Sequence, residues 1–423
     1  MTDPLAEVRE AVVPLGGSSP TRSVLRIPAF RALFGSRVTS SLGAAVSTVT
    51  VSWLVYHFTG STFDIAYVGI ASIVPGIVFG LYAGVLADRH NRRRLMLASD
   101  IVRAVVMAVL AGTLYLIGFS IVLVLAAIVL VYSFTALFNP ANQAMLPRLV
   151  GREQLEDANG ALSASIQLSQ TVGAGAGGLI IAVAGASAGL GINAATYALS
   201  AAFILQIASE FGRTPEGPAR ARRSVRQDLV EGFSYMKNHV PVLELTLGFL
   251  PCNFLIILIP TFMVVYSATV FGSSAATFGF LVASIGLGSV VGALSVGRVR
   301  ARRFAGISYA VTFLGCGVAA ALLVLGHSFP TAVAGAALFG WSVGFCNTVF
   351  LATMQAIVPN AVLGRVLSID MVGSNVAIPA GLIVGGVLTS AYGILFAFTL
   401  VAIGMLVLGS FELALPGVRS VRY

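Results

Sequence analysis

The sequence predicts an all-α membrane protein whose twelve transmembrane helices form two pseudo-symmetric six-helix bundles. Three observations carry that prediction. Of 423 residues, 57% are hydrophobic and only 10% charged, less than half of the roughly 25% that keeps a soluble domain wet. Twelve apolar stretches are each long enough to cross the hydrocarbon as a helix, which takes about 20 residues. The arginines between spans fall in alternate connections only, as they do on the cytoplasmic side of a membrane.

Residues 1–28, with Asp3, Glu7, Arg9 and Glu10 ahead of any apolar run, read as a cytoplasmic tail rather than a cleaved leader. An N-terminal bundle over 29–208 is predicted to hold spans at 33–57, 66–87, 95–117, 120–140, 160–183 and 187–208. The polar linker 209–240 carries Pro215, Pro218 and an arginine run. Its last part, Gln227 to His239, has the pattern of a helix on the membrane surface, although a solvated loop fits equally. The C-terminal bundle over 241–414 is predicted to hold spans at 242–268, 276–297, 304–326, 330–351, 367–388 and 391–413, before a cytoplasmic tail at 415–423. Unbroken apolar runs such as Ile121 to Val131 exclude the alternating strands of a membrane barrel. Three scattered cysteines exclude a disulfide scaffold.

Orientation follows from charge. Arg89, Arg92, Arg93 and Arg94 follow span two, Arg148 and Arg152 span four, and Arg213 through Lys237 span six. Arg298, Arg300, Arg302 and Arg303 follow span eight, Arg365 span ten, and Arg419 with Arg422 span twelve. The opposite loops, near His57 to Asp64, Gly118, Gly185, Phe271, His327 and Tyr392, hold no Lys or Arg. Both termini are therefore expected in the cytoplasm. The net charge of +9 is an orientation signal, so the expected partner is the lipid bilayer and not nucleic acid. Lys237 is the single lysine, a bias that suits a GC-rich bacterial genome; the expected location is a bacterial inner membrane.

The halves repeat. Ala71-Ser72-Ile73 recurs as Ala283-Ser284-Ile285, Gly76 and Gly80 as Gly288 and Gly292, and Gln143 to Pro147 as Gln355 to Pro359, each at an offset of 212. Parallel six-helix repeats around a central loop build many secondary transporters, with the substrate site between the halves near the midplane.

The sharpest motif is Gly84-Val85-Leu86-Ala87-Asp88-Arg89-His90-Asn91-Arg92-Arg93-Arg94. It sets a carboxylate at a helix end beside four guanidiniums, where it can accept hydrogen bonds or cap the next helix. This segment resembles the loop between helices two and three of the major facilitator superfamily. Phe30 to Phe34, Leu146 to Leu155 and Gly364-Arg365 are similar to the subgroup that contains the bacterial enterobactin exporter and macrolide efflux proteins. The resemblance covers the chain after residue 28. It implies the major facilitator fold, alternating access, and a conformational latch made by Gly84, Asp88, Arg89, Arg92 and Arg93. The second half keeps Arg298 to Arg303 without the aspartate, which makes the latch asymmetric.

In span five, Gly173-Ala174-Gly175-Ala176-Gly177-Gly178 is similar to the antiporter signature, with Ala174 at the position of its proline. Gly173, Gly177 and Gly178 equally suit close helix packing. Charges inside a membrane imply partners or function. Asp100 and Arg103 share a face of span three, while Glu244 and Asp370 are candidate proton-coupling carboxyls. Arg37 and Glu412 fall near cytoplasmic ends, where an interfacial position explains them. Tyr132, Gln170, Asn253, Trp341, Asn347 and Asn375 are candidate cavity residues, an uncharged set that suits a large, partly apolar ligand. With no Walker loop, metal cluster or Ser-His-Asp arrangement, no cofactor, metal or catalysis is expected. The reading is a monomeric, proton-coupled exporter of drug-like or siderophore-like small molecules. An importer of a small metabolite on the same fold, and a receptor or assembly factor that transports nothing, are the alternatives.

Overall fold

The computed structural model describes residues 24–151, 153–212, 225–272, 274–297, 304–326 and 328–421, among which there is no strand. Expectations placed on residues 1–23, Arg152, 213–224, Arg298 to Arg303, His327 and Arg422, and on the Asp88 side chain, lie outside the described residues. Among the described residues, eleven helical segments are long and apolar enough to cross a bilayer. One of them, Leu155–Leu205, is broken at Gly185 into two spans, which makes twelve. Span one is Pro28–Thr59, span two Thr62–Arg89, span three Arg92–Leu116 and span four Ile121–Val150. Spans five and six share Leu155–Leu205, and span seven comprises Val240–Ile256 and Leu258–Phe271. Spans eight to twelve are Ala275–Ser295, Ala305–Leu325, Phe329–Ile357, Asn360–Tyr392 and Ile394–Ala414.

Residues at the helix ends explain where the even-numbered spans start. On the face opposite the arginines, Ser61, Ser120, Ser274 and Ser328 accept from the backbone N–H three residues on, at 3.2, 3.5, 3.4 and 3.4 Å, and so satisfy donors that a helix leaves free. The two remaining corners on that face are single-residue turns at Gly185 and Gly393, with φ of 80° and 85°, a backbone that a side chain would strain.

Several spans differ in length from the sequence expectation. Span one starts at Pro28 rather than 33, span four runs on to Val150, span ten to Ile357, and span eleven starts at Asn360. Hydropathy marks only the hydrocarbon, whereas these helices continue past it on the arginine face, where water can meet exposed residues such as Gln143. Span seven, expected as one helix, breaks after Ile256. Pro260 supplies no N–H for the Ile256 carbonyl and crowds it. A linker helix, Val225–Asn238, and a short terminal helix, Pro416–Ser420, complete the arginine face. Arg365 Nη1 donates to Glu231 Oε1 at 2.5 Å and joins the linker helix to span eleven.

The outer surface of the bundle is apolar, with Val183 89% and Ile117 81% exposed. Only lipid can cover such a belt without aggregation.

The halves close on each other at the face opposite the arginines. A Cβ on Gly178 of span five would lie 2.7 Å from the Gly279 Cα of span eight, and one on Gly175 3.2 Å from the Ala283 Cβ. Between spans two and eleven, Thr62 Oγ1 donates to the Gly386 carbonyl at 3.1 Å. At the arginine-face ends the same helices stand in open space: a Cβ on Gly80, Gly84, Gly160 or Gly364 would meet nothing within 4 Å. At these positions no contact joins the halves near the arginine face.

Candidate functional site

A cavity of about 470 Å³ lies in the N-terminal half, walled by spans one to six and touched by Val282 of span eight. Val49, Val68, Met107, Ile128 and Val131 form an apolar wall, and a smaller polar group sits beside it, the usual balance of a small-molecule site. Helical spacing gathers that group. Tyr132, Thr135 and Asn139 lie three and four apart on span four, and Asn193 and Tyr197 four apart on span six, so each set shares one face.

The charges Asp100 and Arg103 are held by several contacts. Asp100, fully buried, and Arg103, 3% exposed, form an ion pair one turn apart on span three. The second Asp100 oxygen accepts from Ser200 Oγ at 2.6 Å, and Ser200 Oγ lies 2.7 Å from Ser36 Oγ. Three spans are thereby tied at one carboxylate. Arg103 also donates to the Ser99 carbonyl at 3.3 Å and to Thr135 Oγ1 at 3.4 Å. Its guanidinium stands 4.6 Å from the Phe138 ring centre and 4.5 Å from that of Tyr197, where ring quadrupoles favour a cation. Arg37 of span one also lines the cavity. It donates to Asn139 Oδ1 at 3.3 Å and stands 5.6 Å from the Phe138 ring centre, while its Nε is buried with no hydrogen-bond partner.

The residues expected at the site divide. Tyr132 and Gln170 line the cavity. Asn253 instead donates to Ser374 Oγ at 3.0 Å, joining spans seven and eleven. The Trp341 ring packs on Phe345 with centres 5.1 Å apart. Asn347 borders a small void beside Cys252, Cys316 and Cys346, and Asn375 is half-buried on span eleven. Glu244 Oε2 accepts from the Val418 N–H at 2.9 Å and caps the terminal helix. Asp370 is half-buried on span eleven, with Oδ1 unpartnered.

Gly84 meets open space and Arg89 is exposed at the end of span two. Arg92 is buried and donates to the Ala144 carbonyl at 2.8 Å. Arg93 donates to the carbonyls of Ile204 and Leu205 at 3.2 and 2.9 Å. It thus covers the end of span six, where a helix leaves acceptors and negative dipole. In this conformation, these two arginines bind their own half. Of the span-five glycines, Gly173 and Gly177 pack on span one, with a Cβ 2.5 Å from the Leu42 carbonyl oxygen and 3.2 Å from Val46. Gly178 packs across the halves on Gly279.

The cavity was expected between the halves, yet it sits mostly in one. The C-terminal half is filled by interlocked glycines: a Cβ on Gly288, Gly292, Gly340 or Gly344 would lie 1.9–2.1 Å from a backbone oxygen of the facing helix. At the offset of 212, the N-terminal counterparts of Gly340 and Gly344 are Ile128 and Tyr132, side chains that hold spans apart and line the cavity.

Sequence reasoning also missed charge. The expected set was neutral, but Arg37 and Arg103 both line the cavity. Starting span one at residue 33 made Arg37 look interfacial. Pro28, a residue favoured at the first helical position, starts the helix earlier and sets Arg37 about 13 Å along it at 1.5 Å per residue. Glu412 does lie near a helix end but is 1% exposed, with its carboxyl packed against Gly248 of span seven.

A family model described as "Transmembrane secretion effector" matches residues 19–420. The chain is 27% identical to the multidrug efflux pump Tap of Mycolicibacterium fortuitum, over 93% of this chain and 97% of that protein. It is 28% identical to the enterobactin exporter EntS of Escherichia coli O1:K1, over 80% of each. Among solved structures, the nucleoside transporter NupG superposes with a TM-score of 0.69 at 14% identity, over 91% of this chain and 98% of that one. A bacterial homologue of the human lysosomal transporter Spinster, inward-facing and unoccupied, gives 0.68 at 14% identity, over 96% and 99%. These two show the fold.

Proposed function

The chain belongs to the transmembrane secretion effector family of the major facilitator superfamily, and on that premise we propose that it exports drug-like or siderophore-like small molecules in exchange for protons that run down their gradient. It works as a monomer in a bacterial inner membrane, with the arginine face and both termini in the cytoplasm. The observation that carries this reading is the state of the cavity. Gly178 and Gly279 close the halves on one face, while Gly84, Gly160 and Gly364 stand apart on the arginine face. A cytoplasmic molecule would thus enter among the arginines, and rocking of the halves would turn the cavity outward. The similarity to the multidrug efflux pump Tap and the enterobactin exporter EntS supports the outward direction. Gly84, Asp88, Arg89, Arg92 and Arg93 act as the latch when the cytoplasmic ends approach. Asp370 and Glu412, each with a buried unpartnered carboxyl oxygen, are the groups best placed to carry the coupling proton.

The test is a susceptibility and accumulation profile in a pump-depleted bacterial host. Expression should lower accumulation of a subset of amphipathic compounds, and a protonophore should abolish the effect. Increased accumulation would reverse the direction and leave the importer. Asp88→Asn should weaken efflux with membrane insertion intact.

A further inference from the structure

The polar end of the cavity carries more positive than negative charge. Arg37 and Arg103 both line it, and both stand against the Phe138 ring. Asp100 compensates one of them and sits behind Arg103, fully buried. Among the described residues, Arg37 makes no ion pair, its one side-chain hydrogen bond is to neutral Asn139, and its Nε has no acceptor. The Asn193 Nδ2 donor on the same wall is also buried and unpartnered. A lone guanidinium inside a bilayer is costly unless something neutralises it, and donors left open favour an acceptor.

We infer that the cavity takes an amphipathic anion, a molecule with an apolar body and one carboxylate, which docks its charge on Arg37. The apolar wall of Val49, Met107, Ile128 and Val131 receives the body. Arg103 is held in place by Asp100, Phe138 and Tyr197 and adds a second cation beside the first. A planar guanidinium suits a carboxylate because two N–H bonds can meet two oxygens. The inference narrows the substrate class of the export reading and rests on that reading for direction only.

The test uses 1-pyrenebutyrate and its methyl ester, which share an apolar body and differ by one charge. Binding to the purified protein in nanodiscs of zwitterionic lipid is followed by quenching of tryptophan fluorescence, since Trp53 lies one turn beyond Val49. Wild type should bind the acid about ten-fold more tightly than the ester, the scale of one charge-assisted contact. Arg37→Gln should remove the preference and Arg37→Lys should retain most of it. Equal affinity for acid and ester, no binding of either, or an acid preference unchanged in Arg37→Gln would overturn the inference. Uptake of the same probes into energised inverted vesicles separates the two readings: selective binding without uptake leaves the anion site standing and removes export.

Discussion

Glu412 stands in the C-terminal half where Ser200 stands in the N-terminal half. The positions are 212 apart, as are Ser36 and Gly248, and the contacts correspond. Ser36 Oγ meets Ser200 Oγ at 2.7 Å, and a Cβ on Gly248 would lie 2.1 Å from Glu412 Oε1. One half sets its carboxylate at Asp100 with Arg103 beside it. The other sets it at Glu412 and has Gly315 at the position of Arg103. The repeat has kept a buried polar node in both halves and a cation in one.

That difference predicts separate roles. Glu412→Gln should fold and insert, because the amide replaces a carboxyl that has no guanidinium to lose. Its export should no longer respond to an imposed pH gradient, and Asp370→Asn should be measured beside it. Vesicles in which both variants keep full dependence on the gradient would take both residues out of the coupling step.

At Asp100 the reverse holds. Asp100→Asn leaves Arg103 buried with no counter-charge, a change that costs roughly 3–5 kcal/mol. Adding Arg103→Gln should recover a large part of it. Thermal unfolding of the two single variants and the double variant gives the coupling directly. Additive losses would mean that the pair is not held together by its charges.

The fold was legible because lipid imposes long apolar runs, and the one-sided arginines order them; positions 33–57 already lie inside Pro28–Thr59. The site was less legible. Arg37 belongs to the cavity through a helix that starts before its hydropathy does. Tyr132 and Ile128 belong to it through a packing choice, glycine in one half and bulk in the other, which appears only when Gly340 and Gly344 are seen against Ile285 and Ser289. Glu244 has a partner that sequence order hides, the Val418 backbone N–H that it caps.

The same glycines give a contrast within one substitution type. Gly340→Ala would put a Cβ 1.9 Å from the Ile285 carbonyl oxygen, and backbone cannot yield as a side-chain tip does. Overpacking of this kind costs roughly 1–3 kcal/mol or more, so the variant should melt early or fail to accumulate. Gly76→Ala meets open space and should be neutral or stabilising by up to about 1 kcal/mol through helix propensity. Its export should nevertheless fall if span two packs closely when the cytoplasmic ends meet. Equal melting temperatures for the two alanine variants would argue against the glycine interlock.

The contact that closes the outer face can be locked. A Cβ on Gly386 of span eleven would lie 3.3 Å from the Ala66 Cβ of span two, near the 3.5–4.5 Å, about 3.8 Å on average, that a disulfide requires. Ala66→Cys with Gly386→Cys should therefore oxidise readily across the halves. The native Cys252, Cys316 and Cys346 are buried and should not compete. Once cross-linked, the protein should still bind ligand from the cytoplasmic side, where the proposed entry lies, yet export nothing, because the outer ends cannot part. A reductant should restore export. Transport that continues at full rate in fully cross-linked protein would mean that spans two and eleven do not separate during the cycle, and the rocking of one half against the other would have to be abandoned.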